Sequence, residues 1–314
     1  MRVGQWTSPQ QATGYLRNED LIPLSLEGAR EYGYPSTSCR ESIDLNQGGT
    51  MPDYSEIDRP SILTYVFYPR DTFNICPRWG FDLFVTVAEG VVVHCRFYKE
   101  NDNWPWVLHF HGNGEVVSDY DEIAIFYLKY GINLIVADYR GYGKSTGDPT
   151  LTDISRDAHI VYDSVTKELV ERGFKSGLWI MGRSLGSIPA LEIAHRHKNT
   201  IRGLIIESGF PSITRLLAHL DVPATRTDLD AIDRQCLAMV REITTPALVI
   251  HGEYDTLVPL EEAETLNEQI GSHEKELLII PGANHNDIMF VGLKQYFEAI
   301  KRFIDKGNQG TTTL

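Results

Sequence analysis

The stretch Leu178-Trp-Ile-Met-Gly182-Arg-Ser184-Leu-Gly186-Ser-Ile-Pro decides the fold of this chain. An apolar run of strand length is followed by the pattern G-x-S-x-G and then by a helical pattern. The two glycines allow a turn that is too tight for side chains, so we expect Ser184 to stand at the carboxyl edge of a sheet. The helix that follows supplies backbone N–H groups and the positive end of its dipole. The alternative interpretation is a serine in an ordinary turn between a strand and a helix.

Outward from this motif, apolar runs of strand length alternate with helical patterns. The predicted strands that are apolar throughout are 106–110, 133–137, 178–181, 204–206, 247–250 and 277–280. The predicted helices are 120–129, 154–172, 185–197, 261–270 and 290–304. This alternation indicates an α/β fold with a mostly parallel sheet and helices on both faces. Three β-rich runs closer to the N-terminus predict antiparallel strands at one edge, over 62–68, 81–88 and 91–98.

The chain of 314 residues divides into three predicted parts. Residues 1–58 show little periodicity and much Gly, Ser, Thr, Pro and Asn, which predicts an irregular N-terminal extension. The alternative is a segment that folds over the main domain and shapes its entrance. Residues 59–306 form the predicted α/β domain, and residues 307–314 form a C-terminal tail. Within the domain we expect a short lid over 209–244, with helices at 213–219 and 229–240.

Composition excludes several classes of protein. The chain is 42% hydrophobic and 23% charged, as is usual for a soluble globular protein. Its basic and acidic residues give a net charge of 29 − 43 = −14 and a pI near 5.1. No nucleic-acid partner is expected, because such proteins carry a basic surface. No targeting segment and no apolar run long enough to span a membrane are predicted.

The cysteines are far apart in the sequence, at Cys39, Cys76, Cys95 and Cys236. They form no C-x-x-C pair and no Cys/His run at zinc spacing. This pattern predicts reduced thiols, no metal site and a cytoplasmic location, with two disulfides as the alternative.

A serine hydroxyl is a poor nucleophile until a base takes its proton, and the base needs an acid that orients it. In a parallel sheet the site lies beyond the carboxyl ends of the strands. Asp255 follows the predicted strand 247–250, and His285 follows the predicted strand 277–280. Nucleophile, acid and base thus occur in the chain order that this type of site uses. We therefore predict a catalytic triad of Ser184, Asp255 and His285.

Three other acids are rivals for the orienting role. Glu207 closes the predicted strand one position earlier in the sheet, and Glu253 and Asp287 are sequence neighbours of the preferred residues. Asp255 is preferred because the pattern Asp-x-x-Val-Pro gives it a defined turn.

The transition state also needs two donors for its oxyanion. One is the backbone N–H of Leu185, and the other is expected from the loop His111-Gly-Asn-Gly-Glu115. We assign the second donor to the backbone of Asn113, with Gly112 as the alternative. Glu115 is unusual in this position, because a carboxylate there opposes a developing negative charge unless it turns away or is paired. It favours a substrate with a cationic end.

Several motifs together resemble the α/β-hydrolase superfamily, and more narrowly its Bem46-like serine hydrolases, relatives of depalmitoylating and esterase-type members. They are His111-Gly-Asn113, Asp138-Tyr-Arg-Gly-Tyr-Gly-Lys-Ser145, Gly182-Arg-Ser184-Leu-Gly186, His251-Gly-x-x-Asp255 and the loop around His285. The resemblance covers about residues 60–306 and leaves the N-terminal 58 residues outside. It implies an α/β-hydrolase fold with Ser184, Asp255 and His285 as the triad. It also implies that 138–145 is a structural loop beside the site.

Together these features predict a serine hydrolase that cleaves small-molecule carboxylic esters or thioesters and needs no cofactor. An amidase or aminopeptidase with the same triad, and a binding protein that keeps the fold without chemistry, are the alternatives. The small lid favours an open site for short or medium acyl groups. Apolar lid residues either line an acyl pocket or pack the lid onto the body: Leu216, Leu217, Leu220, Leu237 and Met239. The sequence does not determine the oligomeric state.

Overall fold

The computed structural model describes residues 51–219, 222 and 226–309. In this part of the chain, eight strands form one sheet in the order β1-β2-β4-β3-β5-β6-β7-β8. The strands are β1 (Gly80–Ala88), β2 (Val91–Tyr98), β3 (Trp106–Phe110), β4 (Asn133–Ala137), β5 (Leu178–Arg183), β6 (Gly203–Glu207), β7 (Ala247–Gly252) and β8 (Lys275–Ile280). β1 and β2 pair antiparallel, β2 pairs antiparallel with β4, and all other pairs are parallel. The predicted mostly parallel sheet with an antiparallel edge is confirmed.

Helices cover both faces of this sheet. They are α1 (Pro60–Val66), α2 (Tyr120–Lys129), α3 (Leu151–Glu171), α4 (Ser187–Arg196), α5 (Ile213–His219), α6 (Arg226–Arg241), α7 (Leu260–Gln269), α8 (Ile288–Val291) and α9 (Leu293–Gln309). α3, α4, α6 and α7 contribute to the core on one face, whereas α2 and α9 contribute to the core on the other. Successive residues of a central strand alternate between these cores, as Val107 and Leu108 show. The strands are therefore apolar throughout because both faces are buried.

One predicted strand is wrong. Residues 62–68 were expected in the antiparallel edge, but most of this run lies in helix α1. Pro60 stands at the start of that helix, where its fixed φ and missing N–H are tolerated. The buried side chains of α1 are Ile62 and Val66, four residues apart and hence on one helical face. These residues have the composition of a strand, but they form a helix because that places Ile62 and Val66 together in the core.

The ends of the domain also differ from the prediction. Tyr54 and Ile57, inside the predicted N-terminal extension, are buried in the core, while residues 1–50 lie outside the described part of the chain. The predicted helix 290–304 is two helices, α8 and α9, separated by Gly292. A Cβ at Gly292 would lie 2.5 Å from Cγ2 of Ile280, so the close approach to β8 needs glycine. α9 continues to Gln309, beyond the boundary expected at 306.

Candidate active site

Ser184 stands at the tight turn that the G-x-S-x-G pattern predicts. Strand β5 ends at the residue before it, and its backbone has φ = 50°, a conformation that non-glycine residues rarely adopt. A Cβ at Gly182 would lie 2.2 Å from the carbonyl oxygen of Gly186, and one at Gly186 would lie 2.0 Å from that of Phe110. Both glycines are therefore required by backbone contacts. The turn holds Ser184 at the carboxyl edge of the sheet.

His285 and Asp255 lie beside this serine. His285 Nε2 is 3.1 Å from Ser184 Oγ, and His285 Nδ1 is 2.7 Å from Asp255 Oδ2. All three side chains are almost completely buried. Because Nδ1 donates to a carboxylate, Nε2 of the neutral ring is left to accept the proton of the hydroxyl. The structure brings together the three residues that the sequence placed at the ends of three separate strands.

Asp255 is held in its turn by backbone donors. Its Oδ1 accepts from the N–H groups of Leu257 and Val258, at 3.0 and 2.8 Å. Burial alone would raise the pKa of Asp255, but the hydrogen bond and charge of His285 and the bond from Val258 outweigh it. The pKa therefore lies below its ordinary value, and the carboxylate is ionised at neutral pH.

A second histidine supports this acid. His251 is fully buried, and its Nε2 donates to the carbonyl oxygen of Val258 at 2.8 Å. The same nitrogen is 3.4 Å from Asp255 Oδ2. Burial lowers the pKa of His251, which keeps the ring neutral. The spacing His-Gly-x-x-Asp was visible in the sequence, but nothing there indicated that the histidine fixes the turn around the aspartate.

The rival acids have other partners. Glu207 accepts from Arg183 Nε at 3.1 Å and from the Tyr296 hydroxyl at 2.6 Å. Glu253 Oε2 accepts from the N–H of Gly282, and Asp287 Oδ1 accepts from that of Asn284. Among the described residues, Asp255 supplies the carboxylate that bonds to the His285 ring.

The hydrogen bonds of the predicted oxyanion loop distinguish between the two candidate backbone donors, Asn113 and Gly112. The N–H of Gly112 donates to Glu115 Oε2 at 2.8 Å, so it is already used. The carbonyl oxygen of Gly112 accepts from the N–H of Glu115 and lies 2.8 Å from His111 Nδ1. In a trans peptide the N–H of Asn113 points away from that carbonyl. The Asn113 N–H makes no hydrogen bond to any residue in the described part of the chain.

The Asn113 side chain anchors the same loop. Its Oδ1 accepts from the N–H of Tyr68 at 3.0 Å and from the hydroxyl of Tyr142 at 2.7 Å, and its Nδ2 donates to the carbonyl of Val66 at 2.6 Å. The side chain thus fixes the peptide whose N–H is left unbonded. Leu185, the other predicted donor, follows Ser184 in the same 3₁₀ turn.

Glu115 is paired within the protein. It forms an ion pair with Arg183 and accepts from the Tyr120 hydroxyl and the Gly112 N–H, both at 2.8 Å. Burial would raise the pKa of Glu115, but the charge of Arg183 dominates the opposing effects and lowers it to about 2. The cationic partner that we expected from a substrate is therefore supplied by the chain itself. Glu115 therefore gives no indication that the substrate has a cationic end.

Three of the apolar lid residues pack on the body. Leu217 and Met239 are buried in the same core as α3 and α4, and Leu216 is partly buried against that core. Leu220 lies outside the described residues. For Leu217 and Met239 the structure favours lid packing over the lining of an acyl pocket.

Three further findings bear on the class of site. No cluster of three or more metal-ligating side chains occurs among the described residues. Cys76, Cys95 and Cys236 are free thiols. Within the described ranges, each helix is too short or too polar to cross a membrane.

The sheet order, the tight turn at Ser184 and the side chains at the strand ends define an α/β-hydrolase. A family profile described as "Serine aminopeptidase, S33" matches residues 104–227 and 223–289, more than half of the chain. The chain belongs to this family of α/β-hydrolases and is a Bem46-like member of the superfamily. It is therefore a hydrolase.

Individual relatives agree with this placement. The human alpha/beta hydrolase domain-containing protein 17B is 29% identical over 70% of this chain and 73% of its own length. Protein bem46 of Schizosaccharomyces pombe is 27% identical over 66% of this chain and 69% of its own length. Among solved structures, an esterase of Pyrococcus furiosus has a TM-score of 0.62 at 22% identity, covering 77% of this chain and 99% of that chain. At that identity the structural likeness shows the fold.

Proposed function

We propose that this protein is a serine hydrolase that cleaves carboxylic esters or thioesters through an acyl-enzyme on Ser184. The observation that carries the proposal is the hydrogen-bonded chain from Ser184 Oγ through His285 to Asp255, with distances of 3.1 and 2.7 Å. A serine held at positive φ beside an imidazole that a carboxylate orients is arranged for nucleophilic attack.

In the first half of the reaction, Ser184 Oγ attacks the acyl carbon while its proton passes to His285 Nε2. The C–O or C–S bond then breaks, and His285 returns the proton to the leaving alcohol or thiol. Asp255 orients the ring through Nδ1 and stabilises the cation that forms. In the second half, His285 takes a proton from water and the hydroxide attacks the acyl carbon. The bond from that carbon to Ser184 Oγ then breaks, His285 returns the proton to Oγ, and the carboxylic acid leaves.

The oxyanion of both tetrahedral intermediates requires backbone donors. We assign these to Asn113 and Leu185. The hydrogen bonds of the loop support Asn113 over Gly112, because the Gly112 N–H is occupied by Glu115. A single donor of this kind is worth on the order of 100- to 1,000-fold in rate.

An aminopeptidase or amidase is the second candidate, favoured by the description of the matched family. An aminopeptidase needs a free carboxylate that binds the substrate's amino group. Glu115, the acid of the oxyanion loop, is already paired with Arg183, so the local charges favour the ester or thioester reaction.

We also propose a cytoplasmic location. The free thiols of the described cysteines are in keeping with it.

The proposal is tested with one acyl group on three leaving groups. Butyryl p-nitrophenyl ester, butyryl thioester and butyryl anilide are assayed with wild type and Ser184→Ala. We expect turnover of the ester and thioester at rates far above that of the anilide, and none of the three with the variant. Faster anilide cleavage would establish the amidase instead. Equal ester turnover by both proteins, at equal stability, would exclude Ser184 as the nucleophile.

A further inference from the structure

Arg183 contacts two loops of the candidate site, the oxyanion loop and the His285 loop. It is the last residue of β5 and directly precedes Ser184, and its side chain is only 12% exposed. One guanidinium nitrogen, Nη1, pairs with Glu115 of the oxyanion loop. Nη2 donates to the carbonyl oxygen of His285 at 3.0 Å and to Asn286 Oδ1 at 3.1 Å. Nε donates to Glu207 at the end of β6.

The oxyanion loop also packs directly on this guanidinium. A Cβ at Gly112 would lie 2.5 Å from Arg183 Nη1, so the backbone of Gly112 touches the cation. The position of the loop relative to Ser184 is therefore set by the arginine as well as by the anchors of Asn113.

A buried hydrogen-bonded chain extends from Arg183 in both directions. On one side Glu115 accepts from the Tyr120 hydroxyl, which lies 2.8 Å from His109 Nε2. On the other side Glu207 accepts from the Tyr296 hydroxyl at 2.6 Å. The chain fixes both carboxylates, and through them the guanidinium, against movement.

We propose that Arg183 is a positioning residue that holds the oxyanion loop and the His285 loop in register with Ser184. The proposal rests on the serine hydrolase function argued above. Arg183 acts through other groups: it fixes the main chain that carries the base, and it neutralises the carboxylate nearest the oxyanion donors. Without that cation, the charge of Glu115 would oppose the negative charge that develops on the substrate oxygen.

The fork geometry of arginine is essential to this role. A guanidinium presents donors in one plane to several acceptors, whereas a lysine ammonium is a single charged centre. Arg183→Lys therefore keeps a positive charge between Glu115 and Glu207 but cannot also reach the His285 carbonyl and Asn286. This variant separates neutralisation of the two acids from positioning of the base.

The experiment compares wild type, Arg183→Lys, Arg183→Gln and the triple variant Glu115→Gln/Arg183→Gln/Glu207→Gln. The matched control is Arg302→Lys. Arg302 lies on helix α9 and forms an exposed ion pair with Glu276. Three quantities are measured: the second-order rate of labelling by a fluorophosphonate, kcat and KM for p-nitrophenyl butyrate, and Tm. The triple variant removes the charges together, so it tests whether pairing the two acids is all that Arg183 does.

We expect Arg183→Lys to keep its Tm within a few degrees and to lose about 10- to 100-fold in labelling rate and kcat, as small displacements of catalytic groups do. KM should change by less than about twofold, because substrate binding is not the step affected. The triple variant should regain Tm relative to Arg183→Gln but only part of the labelling rate, because the charge of Glu115 is gone while the two loops have lost the guanidinium that holds them.

Two results would overturn the proposal. One is Arg183→Lys labelling at the wild-type rate. The other is a triple variant that recovers the full wild-type labelling rate together with Tm, which would mean that pairing the two acids is all that Arg183 does. If the triple variant does not fold, the comparison of Arg183→Lys with Arg302→Lys still decides. Lack of labelling and turnover in wild type itself would contradict the proposed function, and this proposal with it.

Discussion

Ser184 and His285 are separated by 101 positions in the sequence, and Nε2 of the histidine lies 3.1 Å from Oγ of the serine. The two residues follow β5 and β8, which are separated in the sheet by β6 and β7. The contact therefore depends on the parallel arrangement of these strands, which brings their carboxyl ends to one edge.

The first prediction concerns the acid that orients His285. Asp255→Asn should keep the fold and lower kcat by up to about 10,000-fold, because an amide at this position favours the wrong tautomer of the ring. Glu253→Gln is the matched control, since Glu253 lies two residues away and bonds to the N–H of Gly282. Steady-state kinetics on p-nitrophenyl butyrate measures both variants.

The control should stay within about threefold of wild type. A loss in Glu253→Gln equal to that in Asp255→Asn, with both proteins folded, would argue against Asp255 as the specific partner of His285.

The second prediction concerns the tight turn at Ser184. Gly186→Ala should lower the free energy of unfolding by more than about 3 kcal/mol or prevent folding, because its Cβ would overlap the carbonyl of Phe110. Gly173→Ala is the comparison: Gly173 has φ = 77° and open space around it, so only the backbone cost of about 1 to 2 kcal/mol applies. Urea unfolding measures both. Similar losses in the two variants would mean that the close approach to Phe110 does not restrict the turn.

Much of this architecture could be predicted from the sequence because the central strands are buried on both faces. Continuous apolar runs mark β3 to β7, and the residues that follow them are the candidates for chemistry. Helix α1 could not be distinguished from a strand, since it is short and most of its residues from Ile62 to Val66 are β-branched or aromatic. Burial of Ile62 and Val66 decided it, and burial is a property of the folded chain.

The residues of the candidate site could be predicted only where a local sequence motif indicates their role. Ser184, Asp255 and His285 each follow a strand, so their positions could be inferred one by one. The pairing of Glu115 with Arg183 joins residues 68 positions apart, and no local pattern indicates such a contact. For the same reason the sequence left open whether Glu115 is paired, and the ion pair with Arg183 is found only in the folded protein.

The third prediction concerns the oxyanion loop. A backbone donor cannot be removed by substitution, but the Asn113 side chain that anchors it can. Asn113→Ala leaves the carbonyl of Val66 and the N–H of Tyr68 without this partner, so the loop should loosen and the free energy of unfolding should fall by about 1 to 3 kcal/mol. Because the Asn113 N–H is then less well placed, kcat should fall by about tenfold or more. Asn113→Asp keeps the acceptor oxygen but places a carboxylate against the carbonyl of Val66 and beside the oxyanion donors, so it should lose at least as much kcat as the alanine variant. Wild-type kcat in Asn113→Ala would contradict the assigned donor.

The fourth prediction concerns a buried acid behind the nucleophile. Glu192 lies on α4, is 1% exposed, and neither of its carboxyl oxygens has a hydrogen-bond partner in the described part of the chain. Burial raises the pKa of Glu192 from 4.5 to about 8, against a smaller opposing effect of the Arg196 charge. At neutral pH the folded protein therefore holds a proton on this group that the unfolded chain releases.

The sign of the pH dependence follows from this difference. Between about pH 4.5 and pH 8 the folded state binds more protons than the unfolded state, so the contribution of Glu192 to stability falls as pH rises. The slope is at most about 1.4 kcal/mol per pH unit, and the contribution is lost above about pH 8. Glu192→Gln should be progressively more stable relative to wild type from pH 5 to pH 8 in urea unfolding. Glu298→Gln, at an exposed position on α9, should show a constant difference. Parallel pH curves for wild type and Glu192→Gln would contradict the prediction.

The most direct test of the central claim is the mass of the intact protein after reaction with a fluorophosphonate, measured on wild type and Ser184→Ala side by side. We expect a single adduct on wild type, none on the variant, and equal Tm for the two proteins. An adduct of equal extent on folded Ser184→Ala, or none on folded wild type, would contradict the claim that Ser184 is an activated nucleophile.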